Sequence, residues 1–504
     1  MFFSREGEPR ARKLHIHGAF VVVGATISDQ RGYFREIFRT DEKYPREIQP
    51  QSGVQQISIS HSVRDTLRGL HKSTYSKFVS VVSGVIYDVI CDLRPESPTF
   101  CQWAAVRLSA ENARQLFIPP GVAHGFLCIQ EATVLYVQGG VFNPPEEVDI
   151  FAFDKQLDIF WPAAQTAYIM STKDEHAPPL RSAITPCRDE IRPSMRVLVI
   201  GGNGQLGRAV TAAHSTEHVV GTYNSRDDEK LSYQLKLEDI ASTPQIFESF
   251  LKLMRPHVVY ICAGFTWVDG CELEPHKSDA VNSVAPGIIA KYSRRVGAKT
   301  VFYSTDYVFD GKVDKASLES DEVNPLNTYG KSKLQGEQNV LTADPSALII
   351  RTTGVFGPDA AGKNFIYQLC DALKSNKTFK CPTDQFGAPT YSVDLARISK
   401  TLVEKGASGV FHGVGSEILD RYSFALKVAK FCELPSQLIL PMTTEQQFED
   451  VTSRLGTAAL RGKYLGLQSI RLDTLIPRSD QVRSIEEALE HWRDNLAGAR
   501  LPWS

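Results

Sequence analysis

The stretch Arg192–Val210, RPSMRVLVIGGNGQLGRAV, decides how the chain divides. A methionine and a basic residue lead into four apolar residues, Val197 to Ile200, and then into glycines at 201, 204 and 207. This is the pattern by which the first strand of a dinucleotide-binding domain enters its glycine-rich turn. Such a pattern opens a domain, yet here it stands well inside a chain of 504 residues. A complete domain is therefore expected before it, and at about 150 residues per domain the length allows two or three.

Upstream of that stretch, from Leu14 to about Trp161, short runs rich in Val, Ile, Phe and Tyr are broken by turns, as in FVSVVSGVIYDVICDL and ATVLYVQGGVFNPP. This rhythm predicts an all-β sandwich or barrel. Between Ala163 and Ser194 the chain turns irregular, with prolines at 178, 179, 186 and 193, the composition of a connector. Downstream the rhythm becomes strand, helix, strand: RVLVIGG, QLGRAVTAAH, HVVGTY, TPQIFESFLKLM, HVVYICAG. Alternation of this kind predicts a parallel, Rossmann-type doubly wound α/β sheet. The expected division is residues 1–180, a linker over 181–194, and residues 195–504.

The bulk composition narrows the function classes. Hydrophobic residues are 42% and charged residues 23%, which suits globular domains and not a disordered or fibrous chain. The formal net charge is -2 and no basic arm is present, so nucleic acid is not an expected partner. Nine cysteines are scattered singly with no C-x-x-C pair, which argues for reduced thiols and a cytoplasmic location. No apolar run is long enough for a membrane span, and the N-terminus lacks the apolar core of a signal peptide.

The glycines Gly201, Gly204 and Gly207 supply a tight turn and a helix start, Gln205 and Leu206, suited to a pyrophosphate. After the second strand, Tyr223, Asn224, Ser225 and Arg226 stand where NAD-selective domains place a carboxylate. Arg226 can take a 2′-phosphate, which points to NADPH, with NADH as the alternative. Further on, YSTDYVFDG is followed by NPLNTYGKSKLQGE. Tyr329 and Lys333 are one helical turn apart, so an ammonium lies beside a phenol and is expected to lower its pKa. Thr305 ends the strand TVFYST and can hydrogen-bond the same carbonyl oxygen. The three together describe ketone reduction, with hydride from a nicotinamide and a proton from Tyr329.

These residues carry a resemblance. The region from Met195 to about Trp492 resembles the extended short-chain dehydrogenase/reductases, and within them the dTDP-4-dehydrorhamnose reductases. CAGFTWVDGCELEP, Asn282, STDYVFDG, RTTGVFG, KNF and DQFGAPT follow that family's order. The resemblance implies cofactor contacts at Ala263 and Gly264, and substrate or cofactor contacts at Val268, Asp269, Arg351 and the loop Asp384–Thr390. Gly354 departs from the family, many of whose members have tryptophan there, which bears on sugar selectivity. The same fold serves the regulatory β-subunit of methionine adenosyltransferase, so a non-catalytic NADP-binding or scaffold protein is the alternative reading.

The first half holds a second constellation. DQRGYFREIF contains Arg31 and Glu36, LRGLH contains Arg68 and His71, IPPGVAHGF contains His124, and ATVLY ends at Tyr136. Arg, His and Tyr gathered at a barrel mouth suit an anionic, hydroxylated ligand. No second histidine lies near His71 in LRGLHKSTYSK, so no metal is expected.

The region from Leu14 to about Leu180 resembles the dTDP-4-dehydrorhamnose 3,5-epimerases, which are metal-independent cupins of jelly-roll type. DQRGYFREIF, LRGLH, GVIYDVICDLRPESPTFCQW, RQLFIPPGVAHGF, LDIFWP and STKDEHAP carry it in order. The resemblance implies that His71, paired with Asp174, removes protons beside a 4-keto group, and that Tyr136 returns one from the opposite face. It further implies Lys77 near the ketone oxygen, Arg31 and Arg68 on the diphosphate, Phe142 stacked on the base, and substrate contacts at Glu36, Gln56 and His124. Ser58 stands where that family commonly has asparagine. Related cupins epimerise one carbon only.

Together the two halves predict epimerisation of a dTDP- or UDP-4-dehydro-6-deoxyglucose followed by NADPH-dependent reduction to a nucleotide-linked L-rhamnose. Another 6-deoxyhexose such as 6-deoxytalose is the alternative product. A homodimer through the first half is implied by resemblance.

Overall fold

The computed structural model describes the chain except residues 1–9, 25, 40–45, 51, 185–194, 216, 225–232, 313, 478–481, 496–500 and 503–504. Arg226, Ser225 and most of the expected 181–194 linker thus lie outside the described residues. The chain divides into two compact units, the first of residues 1–195 with 215–218 and the second of residues 196–214 with 219–504.

The first unit is a nine-stranded antiparallel sheet. Its spine is two long strands, Lys77–Asp92 and Val122–Gln138, paired along their length. Both are dense in β-branched and aromatic residues, which fit a pleated, packed surface. Shifts of register around Cys128, Gln130 and Thr133 bend the second strand, so its two halves pair with different neighbours. Gln56–Ser62 lies beside its C-terminal half and Leu67–Lys72 beside its N-terminal half. The bend needs Gly84: at φ 78° it sits so close to Glu131 that a Cβ would overlap the Glu131 carbonyl oxygen.

One core of this unit joins Leu67, Val89, Trp103 and Leu127 to Phe160, Trp161 and Leu180 from the end of the unit. Packing of that terminal segment brings the short helix Thr172–Glu175 against the strand Leu67–Lys72.

The second unit is built on a seven-stranded parallel sheet in the order Tyr233–Gln234, His218–Tyr223, Arg196–Ile200, Val258–Ile261, Lys299–Thr305, Leu348–Thr352, Gly409–His412. All five residues of Arg196–Ile200 and of Leu348–Thr352 are buried, as expected of strands covered on both faces. The strand order reverses between Arg196–Ile200 and Val258–Ile261, and a crevice opens beyond the carboxyl ends of strands at such a reversal.

A second core, around Phe356, Tyr367, Phe424, Ile485 and Trp492, holds the helices Phe365–Lys374, Arg421–Phe431 and Ile485–Asn495 at the side of that crevice. No helix among the described residues is long and apolar enough to cross a membrane.

Two candidate active sites

In the first unit, His71 and His124 are direct partners across the antiparallel strands Leu67–Lys72 and Val122–Gln138, so both side chains face the same way. The close approach depends on Gly69, whose φ is 101° and where a Cβ would lie 2.6 Å from the His124 carbonyl oxygen. The His124 ring meets the Tyr136 ring with centroids 6.2 Å apart. His71 Nε2 is 2.7 Å from Asp174 Oδ1, and Asp174 is only 4% exposed. With Nε2 held by the carboxylate, Nδ1 is the nitrogen left to take a proton.

Burial works against the charge on Asp174, but hydrogen bonds from His71, Ser171 and the Gly69 backbone hold its carboxyl below the ordinary range. It therefore stays ionised beside the imidazole. Burial pushes the Tyr136 hydroxyl up to about 12, with the Ser60 hydroxyl 3.3 Å away and Arg68 opposing the rise. Tyr136 is thus a protonated phenol at neutral pH, able to donate.

Lys77 pairs with Gln138, two positions along the strand from Tyr136 and on its face. Burial lowers the Lys77 ammonium, and the Glu147 carboxylate opposes that. A string of polar contacts rims this side: the Gln138 amide and the Ser73 hydroxyl connect through the Tyr75 hydroxyl and Glu147. Gln56 accepts the Phe142 backbone N–H at 2.8 Å and donates to Ser58, so these three are neighbours.

Two expected members are not brought into this group. Arg31 sits in the turn of the hairpin Thr26–Arg35, 85% exposed, with its guanidinium on Asp29. Glu36 is engaged with Arg39 at 3.1 Å. Asp149, which carries no sequence signal, is added instead: it is the cross-strand partner of His71, with Oδ1 3.8 Å from Nε2 and 3.0 Å from Lys173 Nζ. His124 Nε2 lies 2.9 Å from the fully buried Asp88 carboxylate, whose rise through burial it opposes.

The second unit carries a cleft of about 600 Å³ at the strand ends. Gln205, Leu206, Ala263, Gly264, Val268, Thr305, Tyr329 and Lys333 all line it. The glycine turn lies beneath. A Cβ at Gly207 would be 2.1 Å from the Gly201 carbonyl oxygen, and one at Gly201 would be 2.9 Å from Ala263, so those two glycines are required by packing. Gly204 is different: its φ is -73°, its nearest neighbour would be 3.3 Å away, and it caps the helix Gln205–Ala213 with no side-chain acceptor. A bare helix start beside the cleft fits the diphosphate of a dinucleotide.

Asn327 accepts the Gly330 N–H at 2.8 Å and starts the helix Thr328–Ala343. From that start Tyr329, Lys333 and Glu337 fall on one buried face. Lys333 Nζ donates to the Tyr303 carbonyl oxygen at 2.5 Å and lies 4.0 Å over the Phe302 ring. Burial pulls Lys333 down to about 7, against the pull of Glu337. The expected lowering of Tyr329 is not what the structure shows. Burial raises the phenol well above its usual range, Thr305 opposes this, and the Lys333 ammonium is turned to the Tyr303 carbonyl. Tyr329 thus rests as the neutral acid.

Two other expectations are corrected. Arg351 does not line the cleft: its guanidinium grips Glu337 through Nε at 2.9 Å and Nη2 at 2.7 Å. Asp269 binds Arg461 at 2.7 Å and the Ala459 N–H, and so anchors residues 459–461.

Of the loop Asp384–Thr390, residues 385–389 line the cleft, while Asp384 is bound to Thr444. Gly354 lines it too, at φ 50°. Asp306 and Lys363, from the motifs STDYVFDG and KNF, and Arg421, which belongs to no quoted motif, also stand on the cleft wall. Burial pushes the Asp306 carboxyl up to about 6, against hydrogen bonds from Thr353 and Thr305.

Two family models match separate stretches of the chain. Residues 195–491 match the family model described as RmlD substrate binding domain, and residues 13–182 match that of dTDP-4-dehydrorhamnose 3,5-epimerase. The chain is 32% identical over 312 residues to a dTDP-4-dehydrorhamnose reductase of Mycobacterium tuberculosis, an alignment spanning 61% of this chain and 92% of that one. The structure of a Bacillus anthracis dTDP-4-dehydrorhamnose reductase in complex with NADP superposes with a TM-score of 0.52 at 29% identity, covering 60% of this chain and 99% of that one. The Mycobacterium tuberculosis rmlC epimerase is 35% identical, covering 34% of this chain and 89% of that one, with a TM-score of 0.33. The chain therefore belongs to the RmlD substrate binding domain family through residues 195–491, and carries ahead of it, over residues 13–182, a domain of the dTDP-4-dehydrorhamnose 3,5-epimerase family.

Proposed function

We propose that the chain is a bifunctional nucleotide-sugar enzyme. Its first unit, a cupin-type jelly-roll barrel, epimerises dTDP-4-dehydro-6-deoxyglucose at carbons 3 and 5. Its second, a Rossmann-type doubly wound domain, reduces the 4-keto group to give dTDP-L-rhamnose. The observation that carries the reading is that one chain holds both a base clamped by a carboxylate, His71 and Asp174, and a Tyr329–Lys333 pair on a cleft beside a glycine turn.

For epimerisation, His71 removes the proton from the carbon next to the ketone. Asp174 holds the imidazolium that forms. Lys77 steadies the enolate oxygen, because an α-proton leaves only when that charge is met. Tyr136 then donates a proton to the same carbon from the opposite face.

For reduction, NADPH fits the turn Gly201–Gly207 with Ala263 and Gly264, and when bound supplies hydride. Thr305 orients the carbonyl, and Tyr329 gives its proton to the carbonyl oxygen. Lys333 offsets the phenolate charge left behind. Reduction also draws a reversible epimerisation forward.

The free thiols suit the reducing cytoplasm. A homodimer through the first unit is supported by the strand Gln56–Ser62, which turns Ile57 and Ile59 outward, each 65% exposed. The test is incubation with dTDP-4-dehydro-6-deoxyglucose and NADPH. Oxidation of NADPH is expected; cofactor bound but not oxidised would contradict the reading.

A further inference from the structure

The buried face of the helix Thr328–Ala343 does not end at the Tyr329–Lys333 pair. One turn beyond Lys333 stands Glu337, 3% exposed, and Arg351 of the neighbouring strand Leu348–Thr352 holds both of its carboxylate oxygens. A two-point clamp leaves this carboxylate no rotamer freedom. We propose that Glu337, fixed by Arg351, is a positioning residue for Lys333 in the reduction step. The inference rests on the reductase reading and adds to it two residues that touch neither substrate nor cofactor.

A buried ammonium is costly without a partner, and the Tyr303 carbonyl and Phe302 ring that touch Lys333 carry no net charge. Of the ionisable groups around it, Tyr329 on its own helix and Cys271 of Val268–Leu273 are both raised by burial and stay neutral. The helical turns packed on the other side contribute the neutral Asn282 and Ser283. Among the described residues, Glu337, one helical turn from Lys333 on the same buried face, is the carboxylate whose charge opposes the lowering of that ammonium.

Beyond Arg351 lie His412 of Gly409–His412 and Glu319, which accepts the His412 N–H. Burial lowers the His412 imidazole, so near neutral pH it adds no cation to the group. The clamp matters because an unrestrained Glu337 could turn away from Lys333. Arg351 prevents that.

The sign follows. Lys333 must be charged when Tyr329 gives up its proton, so reduction fails as pH rises through the Lys333 pKa. Removing the Glu337 charge moves that failure to lower pH. The experiment compares kcat against pH for NADPH oxidation in the full chain, for wild type, Glu337→Gln and the double variant Glu337→Met/Arg351→Met. Glu337→Gln leaves Arg351 buried without its partner, whereas the double variant removes both charges and fills the space with apolar side chains.

The expected result is an alkaline limb displaced downward in both variants, by about one pH unit in Glu337→Gln and by less in the double variant, which also removes a cation, with KM for the sugar little changed. A double variant that folds and keeps the wild-type limb would overturn the proposal. One that cannot fold would overturn it as well, since the pair would then serve folding. Wild type that fails to oxidise NADPH would instead sink the reductase reading.

Discussion

His71 Nε2 lies 2.7 Å from Asp174 Oδ1 although 103 residues separate them in the chain. The contact exists because Phe160, Trp161 and Leu180 bury the terminal segment of the first unit in its core, which delivers the helix Thr172–Glu175 to the strand that carries His71. Asp174→Asn keeps the shape and removes the charge. It should reduce solvent deuterium exchange at carbons 3 and 5 by about a hundredfold, the usual scale of a general-base contribution. Reduction of the already epimerised ketone should be unaffected. Exchange by NMR in deuterated water and NADPH oxidation on the two substrates check both halves of this statement.

Tyr329→Phe should do the reverse. It removes the acid of the second unit and leaves His71, Asp174 and Tyr136 untouched, so exchange at carbons 3 and 5 persists while NADPH oxidation falls at least about a hundredfold. Loss of exchange in this variant would show that the two chemistries are not divided as described.

Gly204 separates geometry from cofactor binding in the glycine turn. A side chain at 207 meets backbone at 2.1 Å and should disrupt the fold, but one at 204 finds its nearest atom at 3.3 Å. Gly204→Ala should therefore ask only a small shift of the Gly201 carbonyl and leave the second unit folded, while raising the KM for NADPH about tenfold, because the methyl group stands where a diphosphate approaches the helix start. An unchanged KM would mean that the turn is only a bend in the chain.

The Asp269–Arg461 pair, 11% and 9% exposed, makes a stability prediction. Burial disfavours the Asp269 charge, yet its hydrogen bonds from Arg461 and the Ala459 N–H hold its carboxyl below the ordinary value. A group depressed in the folded state stabilises fully above its unfolded pKa, and the contribution fades as pH falls below about 4. Asp269→Ala should cost the second unit about 3 kcal/mol in urea unfolding near neutral pH, since it leaves Arg461 buried and unpaired. That deficit should shrink as the solution is acidified.

Sequence period and motif spacing reveal what is local. Tyr329 and Lys333 share a face because a helix repeats, and Gly201 and Gly207 were legible because close backbone approach leaves no other choice. Arg351 was misplaced for a physical reason: every residue of Leu348–Thr352 is buried, so alternation does not say which side chains reach the cleft and which turn to the helix behind.

Arg31 stands apart from the first site in the single chain, since its hairpin Thr26–Arg35 turns the guanidinium to solvent beside Asp29. Asp149 comes from a strand of two residues, too short to leave a pattern, and Arg421 reaches the cleft from a helix far along the chain. His71 and Asp174 were paired by family resemblance, because a contact across 103 residues has no local signature.

The most direct test of the central claim is one reaction: full-length protein, dTDP-4-dehydro-6-deoxyglucose and NADPH in deuterated water, with the product identified by NMR. The account predicts dTDP-L-rhamnose carrying deuterium at carbons 3 and 5, formed with one NADPH oxidised per sugar. A reduced sugar without deuterium at either carbon, or a labelled ketone that accumulates while NADPH stays unoxidised, would contradict it.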